Sequence, residues 1–210
     1  MFLKATLIPN NILLENLFVG LMDSAGSLRV NINKKNILEF SIVLSVKYSK
    51  INLKILKEIS KFLGKCLITR YRDTNYILVV NDKDTIKFTL SILERVRPIN
   101  ATLICEMNLF KLLFESPSIS LYHTNINLKY KNIKQTEDEI LKGYSFSKIY
   151  FMRFIIILYI INQDLDKHII LEHKDYCLIS AMNNNIGNKN LKIIANKRRN
   201  SYYIDVYNIE

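Results

Sequence analysis

Two hydrophobic periods follow one another along the first half of the chain. Apolar residues recur at helical spacing from Ile12 to Leu21, and residues 28–32 then alternate apolar and polar side chains, as in a strand with one buried face. The helical spacing and the strand-like alternation both recur, separated by polar turns, up to residue 115. They predict helices over residues 11–25, 51–63, 83–96 and 101–115, and strands over residues 27–32, 38–47, 66–72 and 76–80. The predicted order is αββαββαα.

Glycine and asparagine residues mark the ends of these helices. Asn10 or Asn11 can cap the first helix, which Gly26 is predicted to end, and Gly64 is predicted to close the second helix. Gly20 interrupts the apolar pattern of the first helix at a cost of about 1 kcal/mol relative to alanine. A glycine at this place predicts the close approach of another helix.

The segment Phe18–Gly26, with the sequence FVGLMDSAG, resembles the signature motif of the LAGLIDADG homing endonucleases. In that family two such helices pack by their glycine faces, and each supplies a carboxylate from the eighth motif position to divalent metal ions. The eighth position here is Ala25, which cannot bind a metal or orient a water molecule. Asp23 occupies the sixth position, which is mainly structural in the family, and it is the one residual candidate for a catalytic acid.

A second copy of the motif is predicted from an internal repeat with an offset of about 123 residues. This offset places Gly20 on Gly143, the helix around residues 55–64 on residues 178–187, and the strand that starts at Tyr76 on one that starts at Tyr203 after a small insertion. The second motif then carries Lys148 at its eighth position, a cation where the family has a carboxylate. The alternative is that residues 137–144 form an ordinary amphipathic helix and that the repeat is coincidental.

The resemblance implies an α+β fold. It consists of two pseudo-symmetric αββαββα repeats, whose curved antiparallel sheets together form a nucleic-acid-binding saddle. We expect the first repeat in residues 1–115, a polar, lysine-rich linker in residues 116–135, and a degenerate and truncated second repeat in residues 136–210. Such a protein would be a monomer with an internal pseudo-two-fold axis.

Charge points to the same kind of partner. The chain has 30 Lys and Arg residues against 19 Asp and Glu residues, a net charge of +11, which favours a polyanion and above all a nucleic acid. Three consecutive cations at a predicted hairpin tip, residues 197–199, suit phosphate contact, and Tyr203 is predicted to point outward and to stack on unpaired bases. The candidate nucleic-acid-binding residues are Arg29, Asn31, Asn33, Lys34, Lys35, Lys47, Arg70, Arg72, Lys192, Lys197, Arg198, Arg199 and Tyr203.

Other kinds of site find little support. The three cysteines are far apart and lack metal-ligand spacing, so neither a disulfide framework nor a zinc site is predicted. The apolar run of residues 149–161 is too short to span a membrane and contains Arg153, so we expect no membrane partner. The abundance of Ile, Asn, Lys and Tyr without any Trp is typical of an AT-rich genome and favours a mitochondrial, organelle-encoded protein.

The residues therefore predict a cleavage-dead LAGLIDADG-type protein that binds RNA and needs no cofactor. Two roles fit this description, and both stay open: a structural component of the mitochondrial ribosome with ribosomal-protein neighbours, which the aliphatic residues 155–158 slightly favour, and a maturase that helps an intron to fold. The alternative is an active homing endonuclease that makes double-strand cuts in DNA with Mg²⁺.

Overall fold

The computed structural model describes residues 10–72, 74–131, 169–173, 176, 179–180, 183, 192–198 and 200–206. The first part of the chain contains α1 (Asn10–Ala25), β1 (Gly26–Ile32), β2 (Leu38–Lys47), α2 (Lys50–Leu63), β3 (Leu67–Tyr71), β4 (Asn75–Val80), α3 (Lys83–Val96) and α4 (Ala101–Glu115). This is the predicted order. It is followed by α5 (Ile119–Lys131), β5 (Ile169–His173), β6 (Ile194–Asn196) and β7 (Ser201–Val206). Helix α5 lies inside the predicted linker, for which the pattern indicated no helix.

Strands β1 to β4 form one antiparallel sheet in the order β1-β2-β4-β3. Leu28 lies opposite Ile42, and Leu44 lies opposite Leu78, so the apolar side chains of neighbouring strands share one face. Helices α1 to α4 cover that face, and Phe18 of α1 is completely buried in the resulting core. The alternation predicted for the strands thus places their apolar side chains on the face that the helices cover.

Local hydrogen bonds explain where several helices begin and end. Ser49 and Asp82 cap α2 and α3 by accepting the backbone N–H groups of Asn52 and Thr85. The bonds from Thr85 lower the pKa of the Asp82 carboxyl below its ordinary value. Gly64 has a φ of +107° and donates its N–H to the carbonyl of Ser60, which confirms it as the residue that ends α2.

The junction between α1 and β1 has no turn, because the strand begins at Gly26 directly after the helix. Gly26 was predicted to end the helix, and it does, but for a different physical reason from Gly64. A Cβ atom at Gly26 would lie 2.6 Å from both the Cα and the Sδ atoms of Met22. Glycine is required here by the lack of space rather than by a positive φ angle.

The second sheet repeats three strands of the first. Its order is β5-β7-β6, with both neighbours antiparallel to β7, as β2 and β3 are to β4. Ile204 of β7 is fully buried, as Leu78 of β4 is. The residue-by-residue alignment of Tyr76 with Tyr203 stays a prediction.

Some predictions fall on other parts of the chain. Gly143, Lys148 and the apolar run of residues 149–161 lie outside the described residues. Gly20 is buried, and the helix predicted to pack against it contains Gly143. Among the described helices, none combines the length and the apolar character that crossing a membrane requires.

Candidate nucleic-acid interface

The candidate interface is the face of the first sheet that points away from the helices, here called the outer face. Cross-strand pairs identify it, since Arg29 lies opposite Ser41 and Lys47 lies opposite Asn75. By the alternation of each strand, its side chains are Ser27, Arg29, Asn31, Glu39, Ser41, Val43, Ser45, Lys47, Leu67, Thr69, Tyr71, Asn75, Ile77 and Val79. Six of the predicted binding residues therefore share this face or the turn that joins β1 to β2: Arg29, Asn31, Asn33, Lys34, Lys35 and Lys47.

The outer face carries the cations Arg29 and Lys47. Arg29 is exposed at the middle of β1, and Lys47 is exposed at the end of β2, beside the β3–β4 turn. Six residues of β2 separate these two levels of the sheet, which corresponds to about 20 Å. Between them lie the apolar residues Val43, which is only 4% exposed, and Leu67, which is 58% exposed. Ser45 and Thr69 lie in the same region, so the surface between the two cations is partly apolar and partly polar.

The β1–β2 turn depends on Asn33, one of the predicted binding residues. Its Oδ1 atom accepts the backbone N–H groups of Lys35 and Ile37 at 2.9 and 3.0 Å, and its Nδ2 atom donates to Glu39 at 2.9 Å. Asn33 thus has a structural role that the sequence analysis did not assign to it. The turn that it holds presents Lys34 and the side chain of Lys35 to solvent.

Arg70 corrects the predicted arrangement of the cations. It lies opposite Tyr76, on the helix side of the sheet, and its guanidinium carbon is 4.3 Å from the centre of the Tyr48 ring. Sequence reasoning expected it on the same surface as Arg29. Because β3 carries apolar residues at both Leu67 and Ile68, its alternation alone did not decide which face each residue takes.

Arg72 follows β3 in the turn and has a φ of 46°. Its guanidinium carbon lies 5.1 Å from the centre of the Tyr71 ring, and Tyr71 belongs to the outer face. The sequence analysis did not single out Tyr71 or Tyr48. The signal that could have found Tyr71 is its position between Arg70 and Arg72 at a predicted hairpin turn, whereas Tyr48 has no arginine beside it in the sequence.

Asp23 lies near the end of α1 and is 1% exposed. Its Oδ1 atom accepts the backbone N–H groups of Ile99 and Asn100 at 2.9 and 3.1 Å, and the side chain of Asn100 donates back to the Asp23 carbonyl at 3.0 Å. These bonds join α1 to the segment between α3 and α4. Asp23 is a structural residue in this protein.

A divalent metal ion does not fit the end of α1. Ala25 stands where a carboxylate ligand would be needed, and its methyl group offers no lone pair. The nearest acid in the motif, Asp23, points into the protein and holds backbone groups there. Neither side chain can supply a metal ligand without a rearrangement of the helix end.

The second sheet also presents cations at a hairpin tip. Asn196 pairs with Ser201, and the turn between them contains Lys197 and Arg198, which are both exposed. This confirms the predicted hairpin, although the side chain of Arg199 lies outside the described residues. Lys192 is exposed just before β6. Tyr203 is half-buried and lies on the face of β7 opposite to Ile204, as predicted.

Comparison with models of known protein families finds one that matches part of the chain. Residues 18–111 match the model of the LAGLIDADG endonuclease family. This similarity extends over less than half of the chain. The matched residues run from Phe18 at the start of the motif to Lys111 in α4, so they include the whole first sheet and the motif with Ala25 at its eighth position.

Two LAGLIDADG-related sequences are both named probable intron-encoded endonuclease aI3. The protein of Debaryomyces hansenii is 26% identical over 94 residues, which are 45% of this chain and 14% of that protein. The protein of Dictyostelium discoideum is 32% identical over 81 residues, which are 39% of this chain and 35% of that protein. The chain therefore matches about a third or less of the length of either relative.

Solved LAGLIDADG structures share the fold. Meganuclease I-SmaMI bound to uncleaveable DNA has a TM-score of 0.60 and 16% identity, and the match covers 92% of this chain and 79% of that one. Meganuclease I-AabMI bound to uncleaved DNA has a TM-score of 0.58 and 13% identity, with 92% and 78% covered. The likeness confirms the predicted α+β fold.

The hydrogen bonds of Asp23 can be tested by its replacement. Asp23→Ala should lower the free energy of unfolding by about 2–5 kcal/mol, because it leaves two backbone N–H groups without their acceptor in a buried place. Asp23→Asn should cost clearly less, since its amide oxygen can still accept one or both bonds. Urea denaturation followed by circular dichroism measures both values. A loss below about 1 kcal/mol for Asp23→Ala would show that these bonds are not formed in solution.

Proposed function

We propose that this protein is a LAGLIDADG family member that has lost DNA cleavage and binds RNA in mitochondria. The observation that carries this proposal is the end of α1, where Ala25 offers no metal ligand and the carboxylate of Asp23 is committed to the backbone of Ile99 and Asn100. A metal-dependent nuclease needs negative ligands at this point to hold its ions. The described residues supply none there.

Binding is supported by the charge on the surface. The net charge of +11 and the exposed cations of the outer face and of the β1–β2 turn suit a sugar–phosphate backbone, whose charges attract Lys and Arg regardless of sequence. The hairpin tip of the second sheet adds Lys197 and Arg198. A protein that no longer cuts can use such a surface for attachment alone.

Two RNA partners fit this surface: an intron RNA, for a maturase, and ribosomal RNA, for a structural component of the mitochondrial ribosome. The names of both sequence relatives contain the term intron-encoded, which supports an intron RNA as the first partner to test. In the ribosomal case, ribosomal proteins would be further neighbours.

The second candidate function is an active homing endonuclease that makes double-strand cuts in DNA with Mg²⁺. Its support is that the structural neighbours are meganucleases in complex with DNA. This function would require acids from outside the described residues to replace the missing ligand at Ala25.

The purified protein should not cut DNA. We expect no specific double-strand cleavage of a plasmid library that carries mitochondrial intron insertion sites, with either Mg²⁺ or Mn²⁺, because the end of α1 cannot hold a metal ion. The readout is linearisation of the plasmid on a gel, with an active meganuclease as the positive control. Specific cutting that disappears in the Asp23→Asn variant, while its fold is retained, would support the second candidate instead.

The cations of the β1–β2 end should contribute to binding through phosphate contact. Replacement of Arg29, Lys34 and Lys35 by alanine should weaken binding to structured RNA by several-fold to a few hundred-fold and make the salt dependence shallower by up to about three units. Fluorescence anisotropy at several salt concentrations measures both effects.

The matched control removes three exposed lysines from the helix side of the sheet: Lys54, Lys57 and Lys87. It removes the same charge, so a diffuse attraction would predict the same loss for both triple variants. The proposal expects a much smaller loss for the control. Equal losses would show that the outer face is not the binding surface.

Sedimentation separates the two RNA roles. If the protein is a maturase, it should sediment apart from ribosomal subunits in a gradient of mitochondrial lysate, and its immunoprecipitate should be enriched in one intron RNA. Migration with a ribosomal subunit that persists at high salt would support the ribosomal role. RNA binding would be contradicted if the protein is found in no RNA-containing fraction and if RNase treatment does not change its position in the gradient.

A further inference from the structure

The tip of the β3–β4 hairpin is firmly attached to the rest of the sheet. The backbone N–H of Tyr48, just after β2, donates to the carbonyl of Thr74 at 2.7 Å, and Thr74 donates through its own N–H to the carbonyl of Tyr71 at 3.1 Å. The turn is therefore bonded both within itself and to the neighbouring strand. Side chains on it are held in place rather than carried on a free loop.

This tip carries an arginine over a tyrosine on each of its two faces. On the outer face Arg72 lies 5.1 Å from the centre of the Tyr71 ring. On the helix side Arg70 lies 4.3 Å from the centre of the Tyr48 ring, which itself stacks on Tyr76 at 4.9 Å. Tyr71 and Tyr48 are nevertheless 47% and 42% exposed. Both pairs thus retain ring surface that is open to a further planar group.

The two pairs differ in their surroundings. Tyr48 has Tyr76 stacked on it, so its ring belongs to a packed group at the end of the core. Tyr71 lies on the outer face, at the same level as the exposed cation Lys47, since both residues pair with Asn75. Of the two tyrosines, Tyr71 is the one that a ligand on the basic surface would reach.

The chemistry of this group fits one kind of ligand. An exposed aromatic ring stacks on any nucleobase, and an arginine or a lysine beside it can bind the adjoining phosphates. Bases inside a duplex are already stacked on each other, so an aromatic ring at a surface can take only a base that is unpaired. A duplex alone would contact the cations but would not stack on the tyrosine ring.

We propose that the β3–β4 tip binds an unpaired nucleotide next to a duplex, with Tyr71 stacked on the base and with Arg72 and Lys47 on its phosphates. The proposal rests on the nucleic-acid binding proposed above and adds the class of target, a junction of double-stranded and single-stranded nucleic acid. The sugar is not part of this recognition, so RNA and DNA junctions are both ligands of the tip.

The second sheet offers an internal comparison. Its equivalent tip, between β6 and β7, also carries cations, but the last residue of β6 is Asn196 where β3 has Tyr71. Among the described residues, the ring at this position is therefore found in the first hairpin and not in its counterpart. The β6–β7 tip should bind phosphate, and stacking on a base near it would have to come from Tyr203, which lies opposite Ile194 and not at the tip itself.

The test compares a blunt RNA hairpin with the same hairpin extended by a short single-stranded overhang that contains 2-aminopurine. We expect wild type to bind the extended RNA more tightly and to change the 2-aminopurine fluorescence. Tyr71→Ala should weaken binding to the extended RNA by about 5- to 150-fold, the loss of one stacked base, and should affect the blunt hairpin by less than about two-fold. Tyr71→Phe keeps the ring and should behave like wild type.

Two further variants separate stacking from charge. Arg72→Ala should lower the salt dependence by about one unit, whereas Tyr71→Ala should leave it unchanged. Asn196→Ala in the other tip should not alter the preference for the overhang. Circular dichroism verifies that each variant is folded, which we expect because Tyr71 is half exposed.

The outcomes distinguish this proposal from the function on which it rests. Equal losses on blunt and extended RNA for Tyr71→Ala, or no preference of wild type for the overhang, would overturn the tip proposal and leave RNA binding intact. Failure of wild type to bind any RNA would overturn both. A preference for DNA overhangs equal to that for RNA overhangs supports the tip proposal, whereas dependence of the preference on the 2′-hydroxyl would contradict it.

Discussion

The carboxylate of Asp23 holds the end of α1 against the segment between α3 and α4, and the position of the sheet depends on this contact. Helix α1 continues into β1 at Gly26 without a turn, so wherever the helix ends the first strand must begin. Strand β1 is then fixed a second time, because the N–H of Leu28 on its outer edge donates to Glu106 of α4 at 3.2 Å. The N–H of Leu28 is then not available to a strand of another chain, which protects this part of the edge strand from intermolecular pairing.

This arrangement has a consequence for chemistry. The acid that remains in the LAGLIDADG motif is buried and satisfies two backbone donors, which a carboxylate cannot abandon for a metal ion without leaving them unpaired. The motif position that could reach a metal ion is occupied by Ala25. The same short segment therefore keeps a buried acid with a structural role and has an alanine at its eighth motif position.

The outer face shows how a binding surface is limited by the sheet that carries it. Its cations are Arg29, at the middle of β1, and Lys47, at the end of β2, about 20 Å apart, and Val43 and Leu67 lie between them. The geometry of the turns also decides where cations are presented. Asn33 is an example, because its hydrogen bonds hold the turn that presents Lys34 and Lys35.

Much of this protein was determined by sequence alone. The order of the first eight elements, the end of α2 at Gly64, the β6–β7 hairpin and the degenerate motif around Ala25 follow from periodicity, glycine positions and the motif, because these depend on interactions between residues close in the chain. Helix α5 was missed because its residues lack a clear apolar stripe. Tertiary structure alone decided the partners of Asp23 and the side of the sheet taken by Arg70. Each of these depends on contacts across strands, between distant segments or in three-dimensional packing, and a linear pattern carries no information on distances of that kind.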